Sequence, residues 1–463
     1  MSSRLACHRA VVAAIVVFVS AACRKSAPPT PTPAIVAEKA PASSSASPSA
    51  SASTAPAKLD HCALVDPDGS VVRDKASSLP SVVAGPGGVF HASAVIEGEG
   101  ALELDLDATG VVTPKKVHAG GAGGLQSTST AFAIDGGPGR FVLFGRPQVA
   151  PATSNASGND TDLVLSLETP KRTLERSTWK NDQYADVVYL PSRIAAATDG
   201  AGRFYAVTMG HEVNCPNPCM ADWPARVCTC PVLGLPRDSP AAHTTDMSMD
   251  GVDDVRAWFV DEGGKLAGTD GIDFPDEDGI DAIAMAGDEK GAYFVYKKTG
   301  GIYVSPIAWD DPKSAAPGKA VAGGDLGAPS AAIAGDTVWL TWPQRPTPGK
   351  KDPRTLYTVG YRRAEGKAGM PKRLLPTLTG TTTAPTLMRD GDGVALAWMQ
   401  VENKRTRLYL GRGATPELAA QAAAVLGEFA GEGVALAFAM AGKTGAILWS
   451  TSTRTLATRI ECP

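Results

Sequence analysis

Four cysteines, Cys215, Cys219, Cys228 and Cys230, lie close together with Pro216, Pro218 and Trp223 among them. Four thiolates can cage a zinc ion, and the same four thiols can form two disulfides. The C-x3-C-x8-C-x-C spacing is not that of a common zinc module, and the redox compartment decides between the two. A second group is acidic: Asp270, Asp273, Asp276, Asp278 and Asp281 fall in the stretch TDGIDFPDEDGID. Calcium takes carboxylate and carbonyl oxygens from flexible, Gly-containing loops, and Asp276-Glu277-Asp278-Gly279 has some of that character. Phe274 breaks the strict D-x-D-x-D-G pattern, so these aspartates are a weak calcium candidate beside the plainer reading of a solvated loop.

Catalytic signatures are sparse. There is no G-x-S-x-G elbow, and His211-Glu212 lacks the second histidine of a zincin helix. His8, His61, His91, His118, His211 and His243 are dispersed. No residue is assigned a catalytic role, no metal site is assigned, and no cofactor is expected beyond the calcium candidate. Carboxylates are plentiful, and two acids about 5 to 9 Å apart would suffice for a glycosidase, but sequence spacing cannot reveal such a pair.

The compartment is read from the N-terminus. Residues 1–22 carry Arg4 and Arg9, an apolar run from Ala10 to Val19, and small residues Ser20, Ala21 and Ala22 before Cys23. This is the layout of a secretory signal, and the run is shorter than the ~20 residues a spanning helix needs. Ala21-Ala22-Cys23 resembles the lipobox of bacterial lipoproteins, although Ser20 stands where that family usually has an aliphatic residue. The resemblance implies removal of residues 1–22 and acylation (palmitate among the chains) of Cys23. Arg24, not being aspartate, implies sorting to the outer membrane. Multiple acyl chains make such an anchor stable. Export puts the insertion cysteines among oxidants and favours disulfides over zinc. A Cys228–Cys230 bridge would be strained, so each is expected to pair with Cys215 or Cys219.

Residues 23–58 follow the signal as a lipidated cysteine and a Pro/Ala/Ser-rich tether. With Ile35 and Val36 as its sizeable apolar residues, this stretch cannot bury enough surface to offset ordering, so disorder is expected. It would span roughly 30 Å as a coil and at most about 100 Å extended. The chain's formal net charge is −4, and loss of Arg4 and Arg9 makes it more negative still. Nothing in that balance favours nucleic acid.

Residues 59–463 repeat one pattern: a short apolar stretch, a Gly/Asp turn and an alternating apolar strand. It recurs in SVVAGPGGVFHASAVI, AIDGGPGRFVLFGR, AATDGAGRFYAVTM, AMAGDEKGAYFVYK, AIAGDTVWLTWPQ, LMRDGDGVALAWMQ and AMAGKTGAILWSTS. The second strands begin near Val89, Phe141, Phe204, Ala292, Val338, Val394 and Ala446. The long step from Phe204 to Ala292 is explained by a Cys-rich insertion at about 210–253 in the third repeat. A second strand pair after each hairpin, turning at Asp107 to Gly110 and at Asp261 to Gly264, gives four strands per repeat. This pattern predicts an all-β fold, a β-propeller of seven four-stranded blades, with six or eight blades or two abutting sandwiches as alternatives. In architecture it resembles bacterial propellers of the sialidase-like and WD40-like kind. Trp339, Trp342, Trp398 and Trp449 are expected in blade cores. A helix is expected after the Thr415 cap and Pro416, carrying Leu418, Ala422, Val425 and Phe429 between the last two blades.

The last repeat supplies three strands, so His61 to Asp66 is expected to provide the fourth. That brings Cys62 and Cys462 onto neighbouring strands and predicts a disulfide between them. The functional expectation is a membrane-anchored binding or scaffolding lipoprotein of the cell envelope whose propeller loops bind a protein or polysaccharide. The alternative is a propeller-type glycoside hydrolase or lyase acting on polysaccharide.

Overall fold

The structure, a computed structural model, describes residues 61–463 apart from 97–98, 119–127, 135–136, 148–160, 170–171, 182–186, 215–252, 274–278, 313–316, 348–351 and 376–379. Two short strands come first, β1 (Ala63–Leu64) and β2 (Ser70–Arg73). Blade 1 is β3 (Ser77–Ala84), β4 (Phe90–Ile96), β5 (Gly100–Leu106) and β6 (Val112–His118). Blade 2 is β7 (Thr128–Ile134), β8 (Gly137–Pro147), β9 (Thr161–Thr169) and β10 (Arg172–Asn181). Blade 3 is β11 (Val187–Thr198), β12 (Phe204–Asn214), β13 (Asp253–Val260) and β14 (Leu266–Asp273). Blade 4 is β15 (Ile280–Asp288), β16 (Gly291–Lys298), β17 (Gly301–Ile307) and β18 (Lys319–Gly323).

In blade 5, β19 (Ser330–Ala334), β20 (Thr337–Gln344) and β21 (Thr355–Arg362) carry a broken fourth strand, β22 (Lys367–Ala368) and β23 (Lys372–Arg373). Blade 6 is β24 (Thr381–Asp390), β25 (Gly393–Glu402), β26 (Arg405–Gly413) and β27 (Ala424–Ala430). Blade 7 is β28 (Gly433–Ala441), β29 (Thr444–Thr451) and β30 (Thr455–Glu461), with β1 and β2 completing it on the outside. The first strands β3, β7, β11, β15, β19, β24 and β28 neighbour one another in a closed ring. The protein is a seven-bladed β-propeller.

The hairpins follow from the recurring Gly/Asp turns. Gly391, between β24 and β25, has φ +59°, a conformation that costs a residue with a Cβ but not glycine. Alternation along each strand then sends one set of side chains to each neighbouring blade. Trp258, Trp342, Trp398 and Trp449 are among the largest fully buried side chains, and Trp339 packs partly buried against the cluster between blades 5 and 6.

Closure takes the expected form. Ala63 pairs with Glu461 and Leu64 with Ile460, while Ser70 and Val71 pair with Ala457 and Leu456. Gly69, at φ +71°, lets the chain between β1 and β2 press on the Trp449 indole, where a Cβ would have no room. Cys62 and Cys462 are disulfide-bonded, with Cα atoms 4.0 Å apart.

The helix departs from expectation. It is one short turn-and-a-half, α1 (Pro416–Gln421), with Thr415 Oγ1 accepting from the Leu418 N–H, and it lies between the third and fourth strands of blade 6. Val425 and Phe429 belong to β27 instead. The free edge of β26 takes a ladder from Leu410↔Ala424 to Arg405↔Ala430, and those hydrogen bonds outweigh the helical apolar spacing. Leu418 and Val425 stay about half exposed, and α1 buries Pro416, Ala419 and Ala420 instead, the two alanines in the core between blades 5 and 6. No helix among the described residues is long and apolar enough to cross a membrane.

Candidate functional site

Because neighbouring strands are antiparallel, connections alternate between the two faces of the ring. Hairpins joining first to second and third to fourth strands lie on one face, here called the turn face. Connections from second to third strand and from blade to blade lie on the other, the loop face.

The turn face is cross-pinned by the aspartates of the recurring turns. Asp199 Oδ1 accepts the N–H groups of Ala201, Gly202 and Arg203 at 2.9, 2.9 and 3.0 Å, and its Oδ2 accepts from Arg203 Nε at 2.7 Å. Burial pushes this carboxyl up, but Arg203 and the three N–H groups more than offset it and hold it below its ordinary range. Arg203 also reaches Asp310 of the next blade at 2.7 Å. Asp288 of blade 4 meets Arg363 of blade 5 in a two-pronged pair, 2.5 and 2.8 Å, with side-chain exposures of 9% and 7%. Arg363 Nε donates to Tyr293 OH at 3.0 Å, and the guanidinium lies 5.2 Å from that ring's centre. Asp390 is held likewise by Arg412, at 2.5 and 2.9 Å. Such forked pairs fix geometry, and their groups are committed to each other.

Where the first strands of blades 1, 6 and 7 meet on this face there is a cavity of about 580 Å³ lined by Val82, Val83, Ala84, Met388, Phe438 and Met440 among others. Its charged lining residues are Arg389 and Asp392. Among the described residues lining it there is thus one acid, and the acid pair that glycoside hydrolysis requires is not formed there.

The loop face carries a different arrangement. Asp325, in the crossing from blade 4 to blade 5, faces both Arg345 and Arg354 from the two ends of the β20–β21 connection. It pairs with Arg345 Nη1 and, at 3.0 Å, with Arg354 Nη2. Arg345 first, then Arg354, hold the Asp325 carboxyl below its ordinary range. Between blades 1 and 2 lies a polar seam: Glu103, 2% exposed, meets Arg140 at 2.8 Å, and Arg140 also reaches Glu168 at 3.3 Å. Beside it His91 Nδ1 lies 2.6 Å from Asp105.

Of the residues singled out in the sequence, the structure unites Cys62 with Cys462. Cys23, Cys215, Cys219, Cys228 and Cys230 lie outside the described residues, as do Asp276 and Asp278. The excursion bearing the four cysteines leaves β12 at Asn214 and returns at Asp253, on the loop face. Asp270 and Asp273 are on β14, while Asp281, on β15, is ion-paired with Lys297. Among the described residues no group of three or more His, Cys, Asp or Glu side chains is arranged to hold a metal ion. The sequence reading missed the Asp325–Arg345–Arg354 and Glu103–Arg140 groups, whose members come from separate strands. The recurring turn aspartate was the available signal for the turn-face pins.

No protein-family model matches the chain, and no curated protein matches it. Among solved structures it is similar to a polysaccharide lyase described as ulvan lyase, at 10% identity and TM-score 0.48, covering 84% of this chain and 94% of that one. It is also similar to an α-L-arabinanase of Penicillium chrysogenum complexed with arabinobiose, at 8% identity and TM-score 0.41, covering 87% and 98%. A third is a fucose-specific lectin from Aleuria aurantia, at 12% identity and TM-score 0.41, covering 78% and 97%.

Proposed function

We propose that the protein is an exported lipoprotein, anchored through Cys23 to the outer membrane, whose propeller binds a protein or polysaccharide of the cell envelope through its loop face. The observation that carries this reading is the division of the two faces. The two longest connections, 148–160 and 215–252, both join second to third strands, and so leave and re-enter the ring on the loop face, as does 345–354; on the turn face 308–318 and 414–423 are comparable in length to the last of these only. The turn face consists mostly of short turns, and several of its aspartates, Asp199, Asp288 and Asp390, are paired with arginines. A surface of long connections carried on a fixed scaffold suits recognition. Five carboxyls, Glu99, Asp107, Asp199, Asp325 and Glu428, are held below their ordinary range, the direction of anchored anions and opposite to that of a general acid. The Cys62–Cys462 bond suits a chain that folds outside the reducing cytosol.

The test compares the full chain with a variant in which residues 215–252 are replaced by a short Gly/Ser linker, on a glycan array and against solubilised envelope fractions. Retention by the wild type and its loss in the variant at unchanged melting temperature is the expected result. Equal retention of both, or of neither, refutes the assignment of binding to this face.

A further inference from the structure

Asp325, Arg345 and Arg354 differ from every turn-face pin in their balance. At Asp288–Arg363 and Asp390–Arg412 one guanidinium meets one carboxylate with two hydrogen bonds. On the loop face two guanidiniums share a single carboxylate, each contributing one hydrogen bond. Arginine has five N–H donors in a rigid fork, so among the described residues most of the side-chain donors of both are not matched. The Nε atoms of Arg345 and Arg354 are both buried with no acceptor among the described residues. Buried donors are rarely left unmet, and an orphan pair on adjoining side chains marks an incomplete arrangement. The remainder of the group is open: the side chains of Arg345, Arg354 and Asp325 are 36%, 34% and 27% exposed.

The backbone beneath is fixed. The Arg345 N–H donates to the Asp325 carbonyl at 3.1 Å, the Gly327 N–H to the Pro343 carbonyl at 2.7 Å, and the Thr382 N–H to the Arg354 carbonyl at 2.8 Å. Both arginines therefore start from rigid positions, and only their side chains need turn. Within this trio two positive charges meet one negative, on a chain whose overall formal charge is −4. A second oxyanion placed beside Asp325 would match the second positive charge and give both forks an acceptor.

We propose that Arg345 and Arg354 form an oxyanion-binding site on the loop face of blade 5, which takes one carboxylate or sulfate group of a ligand beside Asp325. The site rests on the reading of the loop face as the binding face and names the ligand chemistry that face selects. Neutral ligands gain nothing from it. Asp325 both positions the two arginines and competes with the ligand for them, a dual role that a purely structural pin does not have.

The full chain is titrated with D-glucuronate, with inorganic sulfate and with D-glucose, by calorimetry at low ionic strength. Binding of glucuronate and sulfate but not glucose is expected. Arg345→Gln and Arg354→Gln should each weaken it at least tenfold, and Arg354→Lys, which keeps the charge but loses the fork, should weaken it several-fold. Asp325→Asn should tighten it several-fold, even if that variant melts lower. Equal binding of glucose, anion binding indifferent to both arginines, or weaker binding by Asp325→Asn overturns the proposal. If the linker variant of residues 215–252 loses envelope binding while Arg345→Gln retains it, the binding face stands and this site falls. Loss of the face in both assays removes the broader reading.

Discussion

Breaking the Cys62–Cys462 bond tests the closure of the ring most directly. The two cysteines are 400 residues apart, so the bond closes almost the whole propeller into one covalent loop. The chain-entropy relation assigns such a loop about 6 kcal/mol at 25 °C, an upper bound, and loss of native disulfides typically costs about 2–5 kcal/mol. The non-covalent part of the closure is short strands and a few hydrogen bonds. β1 contributes two paired residues and β2 three, and their inward anchors are Leu64 in the blade 6–7 core and Val72 in the blade 7–1 core. The Val65 N–H to the Arg459 carbonyl, the Asp66 N–H to Thr458 Oγ1 and Thr455 Oγ1 to the Lys75 carbonyl add three hydrogen bonds that remain once the bond is gone. The Cys62→Ser/Cys462→Ser double variant should lose about 3–5 kcal/mol in urea unfolding followed by tryptophan fluorescence. Trp449 lies under the β1–β2 connection and against Phe429, 5.9 Å between ring centres, and is a local reporter. Wild type in reductant should match the variant. An unchanged urea midpoint in the variant, or a non-reduced digest in which Cys62 is linked to an insertion cysteine, refutes the reasoning.

Three further outcomes are expected. Cys23→Ala should move the protein from the membrane fraction to the soluble fraction and abolish labelled palmitate incorporation, and unchanged membrane retention defeats the anchor. Asp199 and Asp325 titrate below their unfolded values, so the stability they contribute is complete above about pH 4 and is lost as pH falls through their lower folded values. Melting temperature should accordingly be flat from pH 7 to about 5 and fall below about 4, with a shallower acid limb in Asp199→Asn/Asp325→Asn, and an identical limb would count against the assignment. Glu103→Leu alone should cost about 3–5 kcal/mol by leaving Arg140 buried and less fully paired, whereas Glu103→Leu/Arg140→Leu should come within about 1 kcal/mol of wild type or exceed it, as chemical denaturation will show.

What could be read in the chain was whatever repeats locally. The Gly/Asp turns at 199–200, 335–336 and 390–393 mark hairpins because each needs residues tolerant of tight backbone geometry, and Phe204 opens β12 where the spacing put it. The closing strand followed from a count, since an edge left open at β30 must be covered. Side-chain pairs between blades could not be read. Asp288 and Arg363 are 75 residues apart, and nothing in either neighbourhood names the other. Arg345 and Arg354 looked like ordinary loop charges until the crossing at Asp325 was placed beside them. The helix after Thr415 was overdrawn for a related reason: periodicity reports a face, but the unpaired edge that claimed Ala424–Ala430 belongs to a neighbouring strand.

The seam between blades 1 and 2 poses a problem that the other joints do not. Apolar clusters fill the joints between blades 2 and 3, 3 and 4, 4 and 5, 5 and 6, 6 and 7, and 7 and 1. At the remaining joint, Val95 and Val142 share the interior with Ser93, Ser129, Ser166 and the Glu103–Arg140 pair, all described and almost wholly buried save Arg140 at 13%. Ser81 Oγ meets Ser93 Oγ at 2.7 Å and accepts the Ala131 N–H at 2.7 Å, so hydrogen bonds cross the joint where side-chain packing does elsewhere. Taking such an ion pair out of water costs about as much as its attraction returns, so net stability does not account for it. Specificity does. Seven blades built on one pattern present similar apolar faces, and a face carrying Glu103 is tolerated only against one carrying Arg140. An apolar neighbour would strand the charge at a cost of several kcal/mol, which excludes blade orders that hydrophobic burial alone would accept. The seam and the disulfide act at different places in the ring: Glu103–Arg140 at the joint of blades 1 and 2, and Cys62–Cys462 at the outer edge of blade 7.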